Sequence, residues 1–328
     1  LAYGLGNFNA HFFRIPPLVS YLLFAVYGFY FVIGKKMGWF YTVKDFEALF
    51  YSDPTNFYLL GRIIFGVLLG VATIYWLYRL VRKNFGKNQA LLSAFLLSIC
   101  FLHVSDCHYL YADIPLLFVM VAAFSAFFKI ADKPDCLQHH LVAGSLIGIA
   151  AATKYNGIAL VFPYLFVSLA GSSRKNKILL FWICAALAAG SIYFLLNPYS
   201  FLDFQFFLQD IRQESQAHTG GISRFFPLTY SLAGGLGWPL LGVALLGLIS
   251  PPYNLKKATA AVFVVIYYAI LVRWGQPYPR YVLPLIPCLI FFAADFLILV
   301  SSKLEALPRL LKIFLMAVLI SAVSTPPL

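Results

Sequence analysis

Ten apolar segments alternate along the chain with short polar stretches. We place them at residues 57–78, 89–102, 115–130, 141–153, 157–170, 178–196, 229–250, 258–272, 281–300 and 310–323. Several approach the roughly 20 residues that a helix needs to cross the hydrocarbon layer. No segment alternates with the two-residue period of a strand, and no internal repeat is evident. The pattern predicts an all-α polytopic transmembrane helix bundle, with about ten spans in residues 57–328.

Basic residues cluster between the apolar segments, at 79–87, 129–133, 174–177, 256–257 and 303–312. Such clusters favour the cytoplasmic side of a membrane. All five can lie there only if residues 141–170 form two short spans that meet at an outer apex, residues 153–157. Each half has only about 13 apolar residues, so we expect surrounding protein to shield both from lipid.

The apolar segment 18–33 presents a choice. A span here would move the basic cluster at 79–87 to the outer side, against the charge rule. We therefore interpret it as an interfacial or re-entrant helix on the outer face, entered through Pro16 and Pro17. Residues 1–56 then form an outer region with juxtamembrane helices, and residues 197–228 form an external loop.

Composition supports a membrane protein and narrows its partners. The chain is 62% hydrophobic and 11% charged, and its mean hydropathy is +0.83. The net charge of +12 lies in the clusters between spans, so we expect membrane lipids rather than nucleic acid as counter-ions. The five cysteines are scattered and imply no disulfide framework.

A polar stretch, residues 103–113, joins two of the apolar segments and carries Asp106 and Asp113. Carboxylates at the membrane border are costly and often mark a functional site. Simpler explanations remain open: Asp113 can cap the helix that continues with Pro115, and Asp106 can be solvated. His103 and His108 are weak candidates for a divalent metal, because their spacing matches no standard zinc signature.

Several cationic side chains fall on the same predicted outer side, against the usual bias. Lys154 lies at the apex between the two short spans, and Arg273 and Arg280 flank a turn rich in proline and glycine. An anionic ligand at the membrane, such as a lipid-linked phosphate, would explain them. Snorkelling side chains and an aromatic interfacial belt are the alternatives.

Six motifs occur in a familiar order. They are Arg14-Ile15-Pro16-Pro17-Leu18, Leu60-Gly61-Arg62, Ala112-Asp113-Ile114-Pro115, Ala151-Ala152-Thr153-Lys154-Tyr155-Asn156-Gly157, Asn197-Pro198-Tyr199 and Arg280-Tyr281-Val282-Leu283-Pro284. Together they resemble the glycosyltransferase family 39 and lipid A aminoarabinose transferase-like branch of the GT-C superfamily, over nearly the whole chain.

The resemblance implies a bundle of about a dozen helices in the cell (plasma or inner) membrane. It implies an inverting glycosyltransferase that moves a sugar from a polyprenyl-phosphate donor to an acceptor, not identified by the sequence, at the extracytoplasmic face. Lys154 and Arg280 would contact the phosphate, and Asp113 and Asp106 would orient the acceptor or the base. Further candidates for substrate contact are Arg62, Arg224, Arg273, Tyr281 and, on the acceptor side, His218.

One motif of that branch is missing. Its members carry an Asp-Glu pair after the first span, and residues 1–13 contain no carboxylate. Because the sequence starts at Leu1, we expect a preceding span and loop to supply that pair, which would leave this chain catalytically incomplete. A non-catalytic accessory subunit would tolerate its loss. A transporter or flippase of lipid-linked material is the alternative function.

Overall fold

The computed structural model describes residues 2–9, 11–172, 175–217, 224–251, 253–274 and 278–303. Throughout these ranges the regular structure is helical and no strand occurs. The predicted all-α membrane bundle is confirmed. His218 and the apolar segment 310–323 lie outside the described residues.

The helices follow one another with short connections. The α-helices are α1 (Leu18–Lys36), α2 (Val43–Ser52), α3 (Thr55–Gly61), α4 (Leu69–Asn84), α5 (Lys87–Ile99), α6 (Phe101–Asp106), α7 (Asp113–Asp132), α8 (Leu137–Thr153), α9 (Val161–Gly171), α10 (Ile178–Leu196), α11 (Tyr199–Leu202), α12 (Phe204–Ala217), α13 (Ala233–Leu236), α14 (Trp238–Ile249), α15 (Leu255–Trp274) and α16 (Ile286–Lys303). Short 3-10 helices cover Ala2–Leu5, Tyr155–Leu160, Lys175–Lys177 and Pro279–Leu285, and π-helical turns cover Arg62–Leu68 and Pro227–Leu232.

Six helices in the described residues are long and apolar enough to cross a membrane, or seven if one bent pair counts as a span. Helices α7 and α16 are buried in the bundle centre, whereas α1 and α10 expose most of their surface. Other predicted spans form shorter helices, including α5 with 13 residues. The count of about ten and the interfacial position of α1 stay predictions.

The predicted segment 229–250 is sharply bent. Its two halves, Pro227–Leu236 and Trp238–Ile249, meet at an angle of 109°. Gly237 lies between them with a φ of 80°, in the left-handed region that glycine adopts without strain. Pro239 follows in the first turn of α14, where its missing N–H is tolerated. The hydrophobic pattern alone did not reveal this bend.

Helices α8 and α10 pack closely because one of them carries small residues. Gly144 and Gly148 lie one turn apart on α8, and a Cβ at either would overlap the backbone of Ala185 or Ala189 on α10. Small residues at this spacing let two membrane helices approach each other. The contact fixes the position of the C-terminal end of α8, from which Lys154 follows.

Gly144→Ala should therefore destabilise the protein by about 1–3 kcal/mol, the usual cost of overpacking a close contact. Thermal unfolding in detergent measures the effect. Gly190→Ala on α10 is the matched control, because a Cβ there meets no atom within 4 Å. Equal midpoints for both variants would show that α8 and α10 do not need this close approach.

Asp295, an acidic residue inside an apolar segment, has its partner on α15. Lys257, with only 2% of its surface exposed, donates to Asp295 Oδ2 at 2.8 Å and to the Ser250 carbonyl at 2.9 Å. The ammonium also lies 5.1 Å from the ring centroid of Tyr253. The interior charge is thus neutralised within the bundle, which gives it a structural role joining α15 and α16.

Candidate active site

A cavity of about 740 Å³ lies where the predicted outer ends of several helices meet. Its walls come from the start of α7, the break after α8, the turn before α16, the middle of α12 and residues 12–15. The volume lies within the range of small-molecule sites. Among the described residues, five charged side chains line it: Arg14, Lys154, Arg280, Asp113 and Glu214.

An ion pair joins two of the predicted site residues. Lys154 Nζ donates to Asp113 Oδ1 at 2.6 Å, with 12% and 5% of the two side chains exposed. Lys154 takes an extended conformation (φ −157°) at the point where α8 ends, and this turns its side chain into the bundle. The ammonium also lies 4.4 Å from the ring centroid of Tyr281. A cation is thereby held at the cavity wall.

Arg280 lies among three tyrosine rings. Its guanidinium carbon is 4.5 Å from the centroid of Tyr278, 4.9 Å from that of Tyr111 and 5.9 Å from that of Tyr281. Stacking on aromatic faces orients a guanidinium while its N–H groups stay available to an anion. The turn Pro279–Leu285 and the loop before α7 are therefore brought together around one cation.

Two residues that were not named as site candidates from the sequence support this wall. Asn156 Nδ2 donates to the Tyr267 hydroxyl at 2.7 Å, and that hydroxyl donates to the Tyr281 carbonyl at 3.1 Å. The Asn156 Oδ1 atom is buried and has no hydrogen-bond partner in the described structure. Asn156 belongs to the same turn as Lys154, whereas Tyr267 lies within an apolar helix and gave no signal.

The N-terminal segment covers one side of the cavity. The Phe13 backbone N–H donates to Asp210 Oδ2 at 2.6 Å, and the Tyr155 hydroxyl donates to the Phe13 carbonyl at 2.6 Å. Arg14 donates to Gln213 Oε1 at 3.1 Å. These bonds attach residues 13–14 to α12 and to the turn that follows Lys154, and they place Arg14 at the cavity.

Asp106 is buried behind the cavity, beyond its lining residues. Its side chain is 7% exposed and the Oδ2 atom has no partner in the described structure. Burial, and to a lesser extent the charge of Asp113, raise the pKa of this carboxyl to about 7, although Arg280 and Lys154 act to lower it. Burial lowers the pKa of the neighbouring His103 to about 4. Both groups are thus uncharged between these values.

Two glycines, Gly66 and Gly70, allow the stretch 103–107 that carries Asp106 to pack closely against neighbouring helical turns. A Cβ at Gly66 would overlap the Cys107 carbonyl, and one at Gly70 would overlap the Cys107 sulfur. The π-helical turn and the first turn of α4 therefore pack directly against residues 103–107. This contact explains why Asp106 is buried although it lies in a polar stretch of sequence.

The other predicted residues lie elsewhere. Arg62, Arg224 and Arg273 are exposed and do not line the cavity. His108 is exposed and its Nδ1 lies 2.8 Å from the Val104 carbonyl. Within the described ranges, no three His, Cys, Asp or Glu side chains gather as metal ligands. The weak metal assignment to His103 and His108 stays a prediction.

Comparison with known proteins bears on the family resemblance and on the fold. The profile of the dolichyl-phosphate-mannose-protein mannosyltransferase family matches residues 46–197, which contain Asp106, Asp113 and Lys154. The match covers less than half of the chain and supports a resemblance to the GT-C superfamily of membrane glycosyltransferases. The predicted GT-C resemblance is confirmed. No protein of curated function matches the sequence significantly.

Two solved GT-C structures share the fold. ArnT from Cupriavidus metallidurans bound to undecaprenyl phosphate superposes with a TM-score of 0.57 at 18% identity, covering 87% of this chain and 50% of that one. The oligosaccharyltransferase AglB from Archaeoglobus fulgidus, in complex with an inhibitory peptide and a dolichol-phosphate, gives 0.56 at 15% identity, covering 97% and 47%. The chain thus spans about half the length of these proteins.

Proposed function

We propose that the protein is a membrane glycosyltransferase that moves a sugar from a polyprenyl-phosphate donor to an acceptor at the extracytoplasmic face, in the plasma or inner membrane. The observation that carries the proposal is the cavity in which the Lys154–Asp113 pair and the tyrosine-stacked Arg280 face the same space. Two fixed cations at the membrane border suit a lipid-linked phosphate.

The cationic and the acidic side chains of the cavity would have different roles. Lys154 and Arg280 would bind the phosphate, and they would stabilise the negative charge that develops on it as the sugar leaves. Asp113 holds Lys154 in place and would orient the acceptor hydroxyl. Glu214, on α12, adds a second carboxylate to the cavity.

An apolar wall continues from the charged end. Ile158, Phe162, Ile270 and Leu271 line the cavity, and both Ile158 and Phe162 expose much of their surface. A polyprenyl chain could pass along these side chains and remain in the hydrocarbon layer. The combination of an apolar path and a cationic end fits an amphipathic lipid phosphate better than a soluble nucleotide sugar.

In the proposed inverting step, an acceptor oxygen attacks the anomeric carbon from the side opposite the phosphate. The new carbon–oxygen bond forms while the bond between that carbon and the phosphate oxygen breaks. The electron pair leaves with the polyprenyl phosphate, and a general base takes the acceptor proton. The acceptor and the sugar are left open.

Arg280→Gln should lower the release of polyprenyl phosphate about 100-fold, because the loss of one preorganised donor costs that much in comparable sites. The assay uses the full-length coding product in lipid vesicles with a radiolabelled polyprenyl-phospho-sugar. Arg82→Gln is the matched control, because Arg82 also stacks on a tyrosine, 5.7 Å from the Tyr78 centroid, but lies away from the cavity. Equal rates for both variants would reject the phosphate role of Arg280.

A further inference from the structure

A second charged cavity, of about 430 Å³, lies between the C-terminal ends of α4 and α7. It is lined by cations from both helices and by an aromatic and apolar wall. The cations are Arg79, Lys83 and Lys129. The proposed transferase reaction makes no use of this cavity.

The cavity carries an excess of positive charge. Asp132 is its one lining carboxylate among the described residues, and Lys256 Nζ lies 2.5 Å from Asp132 Oδ1. Lys256 also donates to Asn84 Oδ1 at 2.8 Å, so this pair is fixed at the rim. Lys83 and Lys129 have no carboxylate within ion-pair distance in the described structure. Two lysines and an arginine therefore line one space whose carboxylate, Asp132, is already paired with Lys256.

The remaining wall suits the border between headgroups and acyl chains. Trp76 Nε1 donates to Ser125 Oγ at 2.9 Å, and Arg79 donates to the Tyr75 hydroxyl at 3.2 Å. Tryptophan and tyrosine prefer the membrane interface. Leu80 and Phe128 supply the apolar part of the lining.

The two cavities lie at opposite ends of one helix. Asp113 begins α7 and Asp132 ends it, and the helix has 20 residues. At 1.5 Å per residue the helix is about 30 Å long, which equals the thickness of the hydrocarbon layer. The second cavity therefore lies at the other membrane border, on the side where the basic clusters place the cytoplasm.

We propose that this cavity binds the phosphodiester headgroup of an anionic phospholipid from the leaflet on that side. Arg79, Lys83 and Lys129 contact the phosphate, and the acyl chains leave past Leu80 and Phe128. The charge of the cavity complements the lipid, and its aromatic wall distinguishes it from an exposed basic surface. The site is independent of the proposed transferase function.

The test compares the affinity of the full-length coding product for phosphatidylglycerol and phosphatidylcholine, by native mass spectrometry from detergent. The wild type should retain one molecule of phosphatidylglycerol in preference to phosphatidylcholine. Lys83→Gln/Lys129→Gln should weaken that binding at least about tenfold, because it removes two of the three cations that contact the phosphate. Arg82→Gln/Lys87→Gln removes the same charge from the same side and outside the cavity, so it should change the affinity less than about threefold.

Two further measurements keep the result unambiguous. Both lysines are exposed, so the double variant should unfold at the wild-type temperature in phosphatidylcholine and should lose only the stabilisation by phosphatidylglycerol. Inorganic phosphate and glycerol 3-phosphate should fail to displace the lipid at equal concentration. Displacement by either compound would show that the cavity binds a free phosphate. Equal weakening in the control variant would show that the lipid is attracted by the general positive charge of this side and not by the cavity. Either result overturns the proposal.

Discussion

Lys154→Met should destabilise the protein by about 3–5 kcal/mol, because it leaves the carboxylate of Asp113 buried without its partner. Asp113 is only 5% exposed and receives the Lys154 ammonium at 2.6 Å. Methionine keeps the length of the side chain and removes the charge. The measurement is the thermal or denaturant midpoint in detergent, with polyprenyl phosphate release assayed in parallel.

Removing the carboxylate of the pair, in Asp113→Asn, should destabilise the protein less than removing the ammonium. Asp113→Asn leaves Lys154 charged, but this ammonium still lies 4.4 Å from the Tyr281 ring centroid and has 12% of its side chain exposed. A cation above an aromatic face keeps part of its stabilisation. We therefore expect Asp113→Asn to unfold at a temperature between those of the wild type and Lys154→Met.

The double variant Asp113→Asn/Lys154→Met separates stability from function. A neutral pair of similar size removes the uncompensated charge, so most of the lost stability should return. Sugar transfer should remain at least about 100-fold below wild type, because the phosphate has lost one of its cations. A stable double variant with normal transfer would show that the pair is structural only.

Much of the helical order could be predicted from the sequence. The segment 178–196 coincides with α10, and the polar apex at 153–157 marks the break between α8 and the helix that follows. Both signals are local: an unbroken apolar run in one case, and a turn of polar residues with a glycine in the other. Asp113 could be placed at a helix start from an equally local signal, an aspartate followed closely by Pro115.

The pairing of residues could not be predicted. Lys154 and Asp113 are 41 positions apart, and Asn156 and Tyr267 are 111 apart. Hydrophobicity shows which residues enter the bundle, but a helix that is apolar all round does not show which side faces which neighbour. Asp295 illustrates the limit, because its partner Lys257 was assigned from sequence to a cytoplasmic basic cluster.

The start of α8 shows that hydropathy can also miss a single buried polar residue, His140. The apolar run begins at 141, yet the helix begins at Leu137 and His140 is fully buried. The ring donates from Nε2 to the Pro134 carbonyl at 2.7 Å, and its Nδ1 lies 3.1 Å from the Tyr164 hydroxyl. A histidine with both nitrogens satisfied can enter the bundle, which hydropathy does not indicate.

Asp106→Asn should change how the stability of the protein depends on pH. Burial raises the pKa of Asp106 from 3.8 to about 7 in the folded protein. The folded state therefore binds more protons than the unfolded state between these values, and stability falls as pH rises through them. Asparagine does not titrate, so the variant lacks this loss.

The comparison must isolate Asp106 from its neighbour. The lowered pKa of His103, about 4, has the opposite effect: its contribution is present above the ordinary histidine value and is lost as pH falls towards 4. Subtracting the wild-type midpoint from that of Asp106→Asn at each pH cancels the His103 effect. The difference should grow in favour of the variant from about pH 4 to about pH 7, then level off. A constant difference would mean that Asp106 is ionised throughout.

The ionisation of Asp106 should also affect binding at the proposed phosphate site. Arg280 and Lys154 act on the Asp106 carboxyl, so its charge acts on them in return. Below pH 7 Asp106 is neutral, and three cationic side chains outnumber two carboxylates at the cavity wall. Above pH 7 the ionised Asp106 offsets that excess, and the KM for an anionic donor should rise. In Asp106→Asn the KM should stay flat across this range, while an equal rise in both proteins would assign the pH dependence to another group.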